Sequence, residues 1–170
     1  MNTYLDLPER TKKNRSYGIN SIHDVKLTTG ELRNVLEDHS EYMDVAKLGV
    51  GTALVVPKLK EKIALYQEHN VEVYFGGTLF EAFIARNMFE DYRKLIDQYD
   101  LAMVEVSDGS IEIDHEKKCN YIKSLTSQVT VLSEVGYKDS EKIIPPYKWI
   151  ELMQKEIDAL KSELSSLRKE

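Results

Sequence analysis

Five short β-rich apolar runs recur along this chain at nearly constant intervals. They occupy residues 18–23, 42–48, 71–75, 101–106 and 129–135, and their starts lie 24, 29, 30 and 28 residues apart. That interval is what a strand, a crossover helix and two loops require. The stretches between the runs show helical periodicity. Alternation of β and α at this period argues for a parallel sheet with right-handed crossovers. The chain has 170 residues, enough for one domain. A complete eight-unit barrel needs roughly 200–250 residues. The expected fold is therefore α/β, a partial parallel (β/α) barrel of about five units over residues 18–145. A polar arm at 1–17 precedes it and a long C-terminal helix at 146–170 follows it.

Helix starts are marked locally. Thr28 and Glu31 form a capping box ahead of Leu32, and Thr78 and Glu81 form a second ahead of Phe83. Pro57 is expected to open the helix holding Leu59, Ile63, Leu65 and Tyr66. Asn87 marks a break, Asp114 a cap, and Pro145-Pro146 the start of the last helix. In that helix Ile150, Met153, Ile157, Leu160, Leu164 and Leu167 follow the alternating 3–4 spacing of a heptad seam. At about 24 residues it would run ~36 Å. From Asp158 onward it is expected to project into a partner helix.

Charge narrows the partners. The chain carries 23 basic and 29 acidic residues, net −6, with pI near 5.3. Such a chain is a poor general binder of nucleic acid or of anionic membranes, although a local basic pocket stays open. Lys12, Lys13 and Arg15 in the arm are expected to be a solvated cluster. Cys119 is the one cysteine, so neither an intrachain disulfide nor a cysteine zinc cluster forms. No apolar run approaches the ~18–20 residues of a membrane span, and the polar N-terminus lacks the apolar stretch of a signal peptide. A cytoplasmic protein is expected.

In parallel α/β folds the site is built at the C-terminal ends of the strands. Here the runs end in His23-Asp24, Lys47-Leu48-Gly49-Val50-Gly51-Thr52, Gly76-Gly77-Thr78, Glu105-Val106-Ser107-Asp108-Gly109 and Glu134-Val135-Gly136-Tyr137-Lys138. Polar and glycine residues at five successive strand ends point to a shared site. Lys47 reads as a site cation or as a structural ion pair with Glu105 or Glu134. Those carboxylates could hold a hard divalent cation or simply neutralise lysines. Gly76-Gly77-Thr78 reads as an anion cradle or as a tight turn into a helix. Gly49 and Gly51 read as turn residues or as points of close substrate approach. His23 reads as structural, and His39, His69 and His115 as solvated. Cys119 reads as a small core residue. Metalloprotease HExxH, P-loop, GxGxxG and Gly-x-Ser-x-Gly patterns are absent.

Residues 47–52, 74–81, 105–110 and 132–138 together resemble phosphosulfolactate synthase, in the family's order and spacing. The resemblance covers roughly residues 8–158. It implies a (β/α) barrel and Mg²⁺-dependent addition of sulfite to phosphoenolpyruvate, a lyase reaction of coenzyme M biosynthesis. Lys47, Glu105 and Lys138 carry over as active-site positions; the chemistry of adding sulfite to an alkene, rather than the resemblance, suggests Lys47 as charge clamp and Lys138, on its post-strand loop, as proton donor. Gly49, Gly51, Thr52, Gly76, Gly77, Thr78 and Ser107 become the substrate-binding positions. Glu134 matches a motif position and is inferred, with Glu105, as a metal ligand. The family's last three units find no match here, where residues 160–164 read as heptad helix. The first strand ends His23-Asp24-Val25-Lys26, in place of an Asp followed by a glycine turn. Five strands leave open edges, so a homo-oligomer is expected. The alternative is an inactive partial barrel serving as a structural or interaction protein.

Overall fold

The computed structural model describes residues 11–161. Five strands form one sheet in the order β1-β2-β3-β4-β5, every neighbouring pair parallel. They are β1 (Ser21–Asp24), β2 (Val45–Leu48), β3 (Glu72–Phe75), β4 (Met103–Val106) and β5 (Thr130–Ser133). Each observed strand spans four residues. The helices between them are α1 (Thr29–His39), α2 (Leu59–Glu68), α3 (Gly77–Ile84), α4 (Phe89–Gln98) and α5 (His115–Thr126), and α6 (Pro146–Lys161) follows β5. Strands laid down in chain order with right-handed crossovers put all helices on one side of the sheet. This is the winding of successive barrel staves.

The pleat separates two environments. Ala46, Leu48, Val73, Phe75, Val104, Val106 and Val131 are buried under the helices, against Leu32, Leu36, Ile63, Phe80, Tyr92 and Ile122. The register places His23 beside Lys47, Lys47 beside Tyr74, and Glu105 beside Leu132 on the other face. This second face, which lines the interior of a barrel, bears Ser21, His23, Lys47, Tyr74, Met103, Glu105 and Leu132. Among the described residues β1 and β5 each pair on one side only.

Several local expectations hold. Thr28 and Glu31 make the reciprocal capping box of α1, Asp114 accepts from the Lys117 N–H to cap α5, and Pro146 is the first residue of α6. Asn87, at φ 56°, separates α3 from α4. Others are corrected. Pro57 precedes the N-cap Lys58, so α2 begins at Leu59. The capping box assigned to Thr78 and Glu81 is absent: Gly76 is the N-cap, and Glu81 is drawn instead to Ser107 and Ser110.

Of the arm's basic cluster Lys12 is exposed as expected, but Lys13 and Arg15 are engaged with the body. Lys13 Nζ donates to the Ser40 and His69 carbonyls at 2.9 and 2.7 Å, at the C-terminal ends of α1 and α2. Arg15 pairs with Asp44 at 3.1 Å and is almost wholly buried. Residues 11–15 thus clamp the N-terminal end of the sheet. Residues 1–10 of the expected arm lie outside the described residues, as do residues 162–170 of the expected helix. No helix among the described residues is long and apolar enough to cross a membrane.

Candidate active site

At the C-terminal end of the sheet β2 and β4 each send a charged side chain onto the inner face. Lys47 Nζ lies 2.7 Å from Glu105 Oε1. The Gly77 N–H, at the start of α3, donates to the same oxygen at 2.8 Å. Glu105 is 7% exposed, so its charge is held by these two donors rather than by water. Burial pulls the Lys47 ammonium down, but the Glu105 hydrogen bond and charge, with Glu134 behind them, outweigh it and hold Lys47 above the ordinary lysine value. Lys47 is therefore a fixed cation near neutrality.

The glycines after β3 make this convergence possible. A Cβ on Gly76 would come within 2.9 Å of Lys47 Cε, and one on Gly77 would strike the Ser107 side chain and reach 3.0 Å from Glu105 Oε1. Gly49 lies beneath the His23 ring, which any Cβ there would overlap. Gly51 takes the left-handed conformation at φ 66°, and Thr52 Oγ1 donates to the Gly49 carbonyl at 2.8 Å. The turn after β2 is thus tied to itself, with Val50 also at positive φ.

Lys138 enters from the loop after β5. Its Nζ donates to Thr78 Oγ1 at 3.1 Å and stands 4.0 Å from Glu81 Oε1. Its side chain is half-exposed, so it reaches over the start of α3 while remaining open to solvent. Ser107 is fully buried and gives its hydroxyl to Glu81, which also accepts the Ser110 N–H at 3.2 Å. The β4 loop is thereby pinned to α3.

The structure brings Lys47, Glu105, Gly76, Gly77, Thr78, Ser107 and Lys138 to one end of the sheet, with His23 at Gly49 alongside. Glu134 is exposed; its backbone pairs with Val106 and Lys118, and its charge is felt at Lys47 and Tyr74. For a hard cation the usable oxygens are those of Glu105 and Glu134. Among the described residues no group of three or more His, Cys, Asp or Glu forms a ready-made cage. Magnesium ordinarily takes one or two carboxylates and completes its shell with water and substrate oxygens; Glu105 Oε1 is already engaged by Lys47 and the Gly77 N–H, so Oε2 is the oxygen this residue could offer.

A family model described as (2R)-phospho-3-sulfolactate synthase (ComA) matches residues 8–162. The chain belongs to the phosphosulfolactate synthase family. The Bacillus subtilis phosphosulfolactate synthase is 31% identical over 157 residues, covering 91% of this chain and 62% of that protein. The Methanothermobacter thermautotrophicus phosphosulfolactate synthase is 33% identical over 157 residues, covering 89% and 61%. That of Methanocaldococcus jannaschii is 33% identical over 147 residues, covering 84% and 59%. The chain therefore spans about three fifths of the length of these curated phosphosulfolactate synthases.

Three interactions in and around this site escaped sequence reasoning. Tyr74 faces the same side as Lys47, and its hydroxyl meets Ser21 Oγ at 2.8 Å. Burial pushes its phenol up; the Ser21 hydrogen bond pulls it back and the Glu105 charge raises it again. Period-two alternation from Lys47 and Glu105 was the signal that could have found it. Asp24 is buried with Lys62 at 2.7 Å, and the Tyr66 hydroxyl donates to it at 2.9 Å, which fixes the β1 loop. His115, expected to be solvated, binds Glu156 at 3.0 Å beside Lys118. Cys119 is buried in the core and free, and burial together with the Glu156 charge pushes its thiol up, away from nucleophile behaviour.

Proposed function

We propose that this chain carries the sulfite-adding chemistry of its family: Mg²⁺-dependent addition of sulfite to phosphoenolpyruvate, giving phosphosulfolactate. The carrying observation is the Lys47–Glu105 pair at 2.7 Å, anchored on the Gly77 N–H at the glycine-lined end of the sheet. Sulfite sulfur donates its lone pair to the CH₂ carbon of phosphoenolpyruvate. A C–S bond forms, and the alkene electrons move into the carboxylate as an enediolate. A proton then reaches the phosphate-bearing carbon and completes phosphosulfolactate.

Each residue has a part in this sequence. Lys47, a fixed cation, stabilises the charge that develops on the carboxylate. Glu105 orients Lys47. Lys138, on a solvent-accessible loop, delivers the proton. Thr78 holds Lys138 Nζ in place over α3 before substrate arrives. The substrate approaches along Gly51, Thr52 and Thr78, while Gly49, Gly76, Gly77 and Ser107, all buried, shape the site from beneath rather than touching substrate. Glu105 and Glu134 would hold magnesium, which supplies Lewis-acid stabilisation of the same carboxylate charge. A single unpaired cysteine fits a reduced cytoplasmic setting, and the one-sided β1 and β5 fit a homo-oligomer.

Phosphorus NMR of the purified chain with phosphoenolpyruvate, sulfite and magnesium tests this. A phosphosulfolactate resonance is expected. No product, together with no calorimetric binding of phosphoenolpyruvate, overturns it. The second reading, an inactive partial barrel acting through its surfaces, is favoured by one observation: the inner face carries Leu132 exposed beside a one-sided β5.

A further inference from the structure

We infer that buried Glu81 is a positioning residue for the proton transfer, and that by fixing Lys138 it sets the configuration of the product at its phosphate-bearing carbon. This deepens the sulfite-addition reading above and rests on Lys138 as its proton donor.

Glu81 lies on α3, three residues after Thr78 and so on the same helical face, and is 2% exposed. Its carboxylate serves the loop after β4 at two points. Oε1 accepts the Ser107 hydroxyl, and Oε2 accepts the Ser110 N–H at 3.2 Å. Both ends of the segment Ser107-Asp108-Gly109-Ser110 therefore hang on one side chain. Among the described residues the only ammonium or guanidinium group within 4.0 Å of this carboxylate is that of Lys138. The charge that Ser107 and Ser110 hold in place is thus aimed at the proton donor.

Lys138 is half-exposed, and a long side chain so placed ordinarily samples many rotamers. Here it is held at its root, its stem and its head. At the root, the Lys138 N–H donates to the Gly109 carbonyl at 2.8 Å. The stem lies across Gly109, where a Cβ would come within 3.3 Å of both Lys138 Cγ and Cε. At the head, Nζ donates to Thr78 Oγ1 at 3.1 Å and faces Glu81 Oε1 at 4.0 Å. Glu81 acts on the head through its charge. It acts on the root and the stem through Gly109, which sits inside the segment it anchors.

The chemistry gives this placement a consequence. Sulfite addition leaves the phosphate-bearing carbon trigonal, with two faces open to a proton. In the next step an Nζ–H bond of Lys138 breaks and the enediolate electron pair forms the new C–H bond. The neutral amine left behind takes its proton back from solvent. A donor fixed on one side yields one configuration, whereas water delivers to either face. The group that fixes the donor decides the configuration.

Glu81→Gln removes the charge and leaves one acceptor oxygen for two donors. Product from each protein is dephosphorylated, and the sulfolactate enantiomers are resolved by chiral chromatography. The wild-type chain should give one enantiomer. The variant should give both, with kcat lowered about 10²-fold, the scale of a misplaced reacting group. Its KM for phosphoenolpyruvate and its circular dichroism spectrum should be unchanged. A purely structural role would lower the yield of active protein and leave the product in one configuration. Overhauser contacts between the Lys138 methylenes and the Gly109 α-protons, which need no turnover, should be present in the wild type and weaken in Glu81→Gln. Gly109→Ala keeps the carboxylate but crowds the lysine stem, and should also yield both enantiomers; it decides the matter if Glu81→Gln does not fold. A single enantiomer from either folded variant, or Lys138–Gly109 contacts that persist in Glu81→Gln, overturns this inference alone. No product from the wild-type chain overturns the sulfite-addition reading, and this inference with it.

Discussion

Lys47 and Glu105, from strands that are not neighbours, meet at 2.7 Å across the intervening β3. Their contact spans the inner face of the sheet, with Tyr74 lying between the two strands. A pair this placed serves both as a brace and as a charge clamp, and substitutions separate the two roles.

Lys47→Met removes the clamp and leaves the Glu105 carboxylate on the Gly77 N–H alone. Turnover should fall by at least about 10²–10³-fold, the scale of losing one preorganised stabilising donor. Lys138→Met should abolish turnover with the fold intact. Circular dichroism checks the fold and the phosphorus assay checks the rate. Retained activity in the Lys138 variant sinks its role as proton donor.

The Lys47 ammonium, raised above the ordinary lysine value by Glu105, should stay charged through every pH at which activity is measured. A folded-state value above the unfolded one means the pair's stabilisation is fully present below about 10.4. It is lost only as pH rises through the folded value. A side-chain NMR titration of Lys47 should place its midpoint above that of an ordinary lysine; a midpoint below the ordinary value contradicts the assignment.

Gly77→Ala drives a methyl group into Ser107 and against Glu105. Overpacking of this kind costs about 1–3 kcal/mol. The urea midpoint should drop, and the NMR signature of Lys47 should shift with it, because α3 must move away from Glu105.

Lys118 is fully buried between Asp108 at 2.8 Å and Glu156 at 2.8 Å. Lys118→Met leaves two inward carboxylates without their cation, a loss on the order of 3–5 kcal/mol. Chemical denaturation should show a large fall in midpoint and loosened amide protection in α6. Lys142→Met, which breaks an exposed pair with Glu112 and a cation–π contact with the Tyr137 ring, should move the midpoint far less.

The strand order and the site's address were readable from the chain because period and glycine punctuation are local signals. Five apolar runs at crossover spacing translate directly into five parallel staves, and strand C-terminal ends locate the site. Thr28–Glu31 was readable for the same reason, since a capping box is settled within four residues. The Thr78–Glu81 pair satisfies the same pattern, yet Glu81 is won by Ser107 and Ser110, 26 and 29 residues away. The choice of Glu105 over Glu134 as the Lys47 partner was likewise beyond local reading, since both carboxylates end strands. Lys118 with Glu156, Lys62 with Asp24 and Lys13 with two helix-end carbonyls all join residues distant in sequence. Their charges look like ordinary solvated faces until the fold removes the water.

The Lys13 and Arg15 clamp lies at the end of the sheet opposite Lys47 and Lys138. Exposed Lys12 sits beside it. Coupling the protein to a bead or sensor surface through Lys12 would therefore hold it upright, with the mouth of the site turned toward the flowing solution.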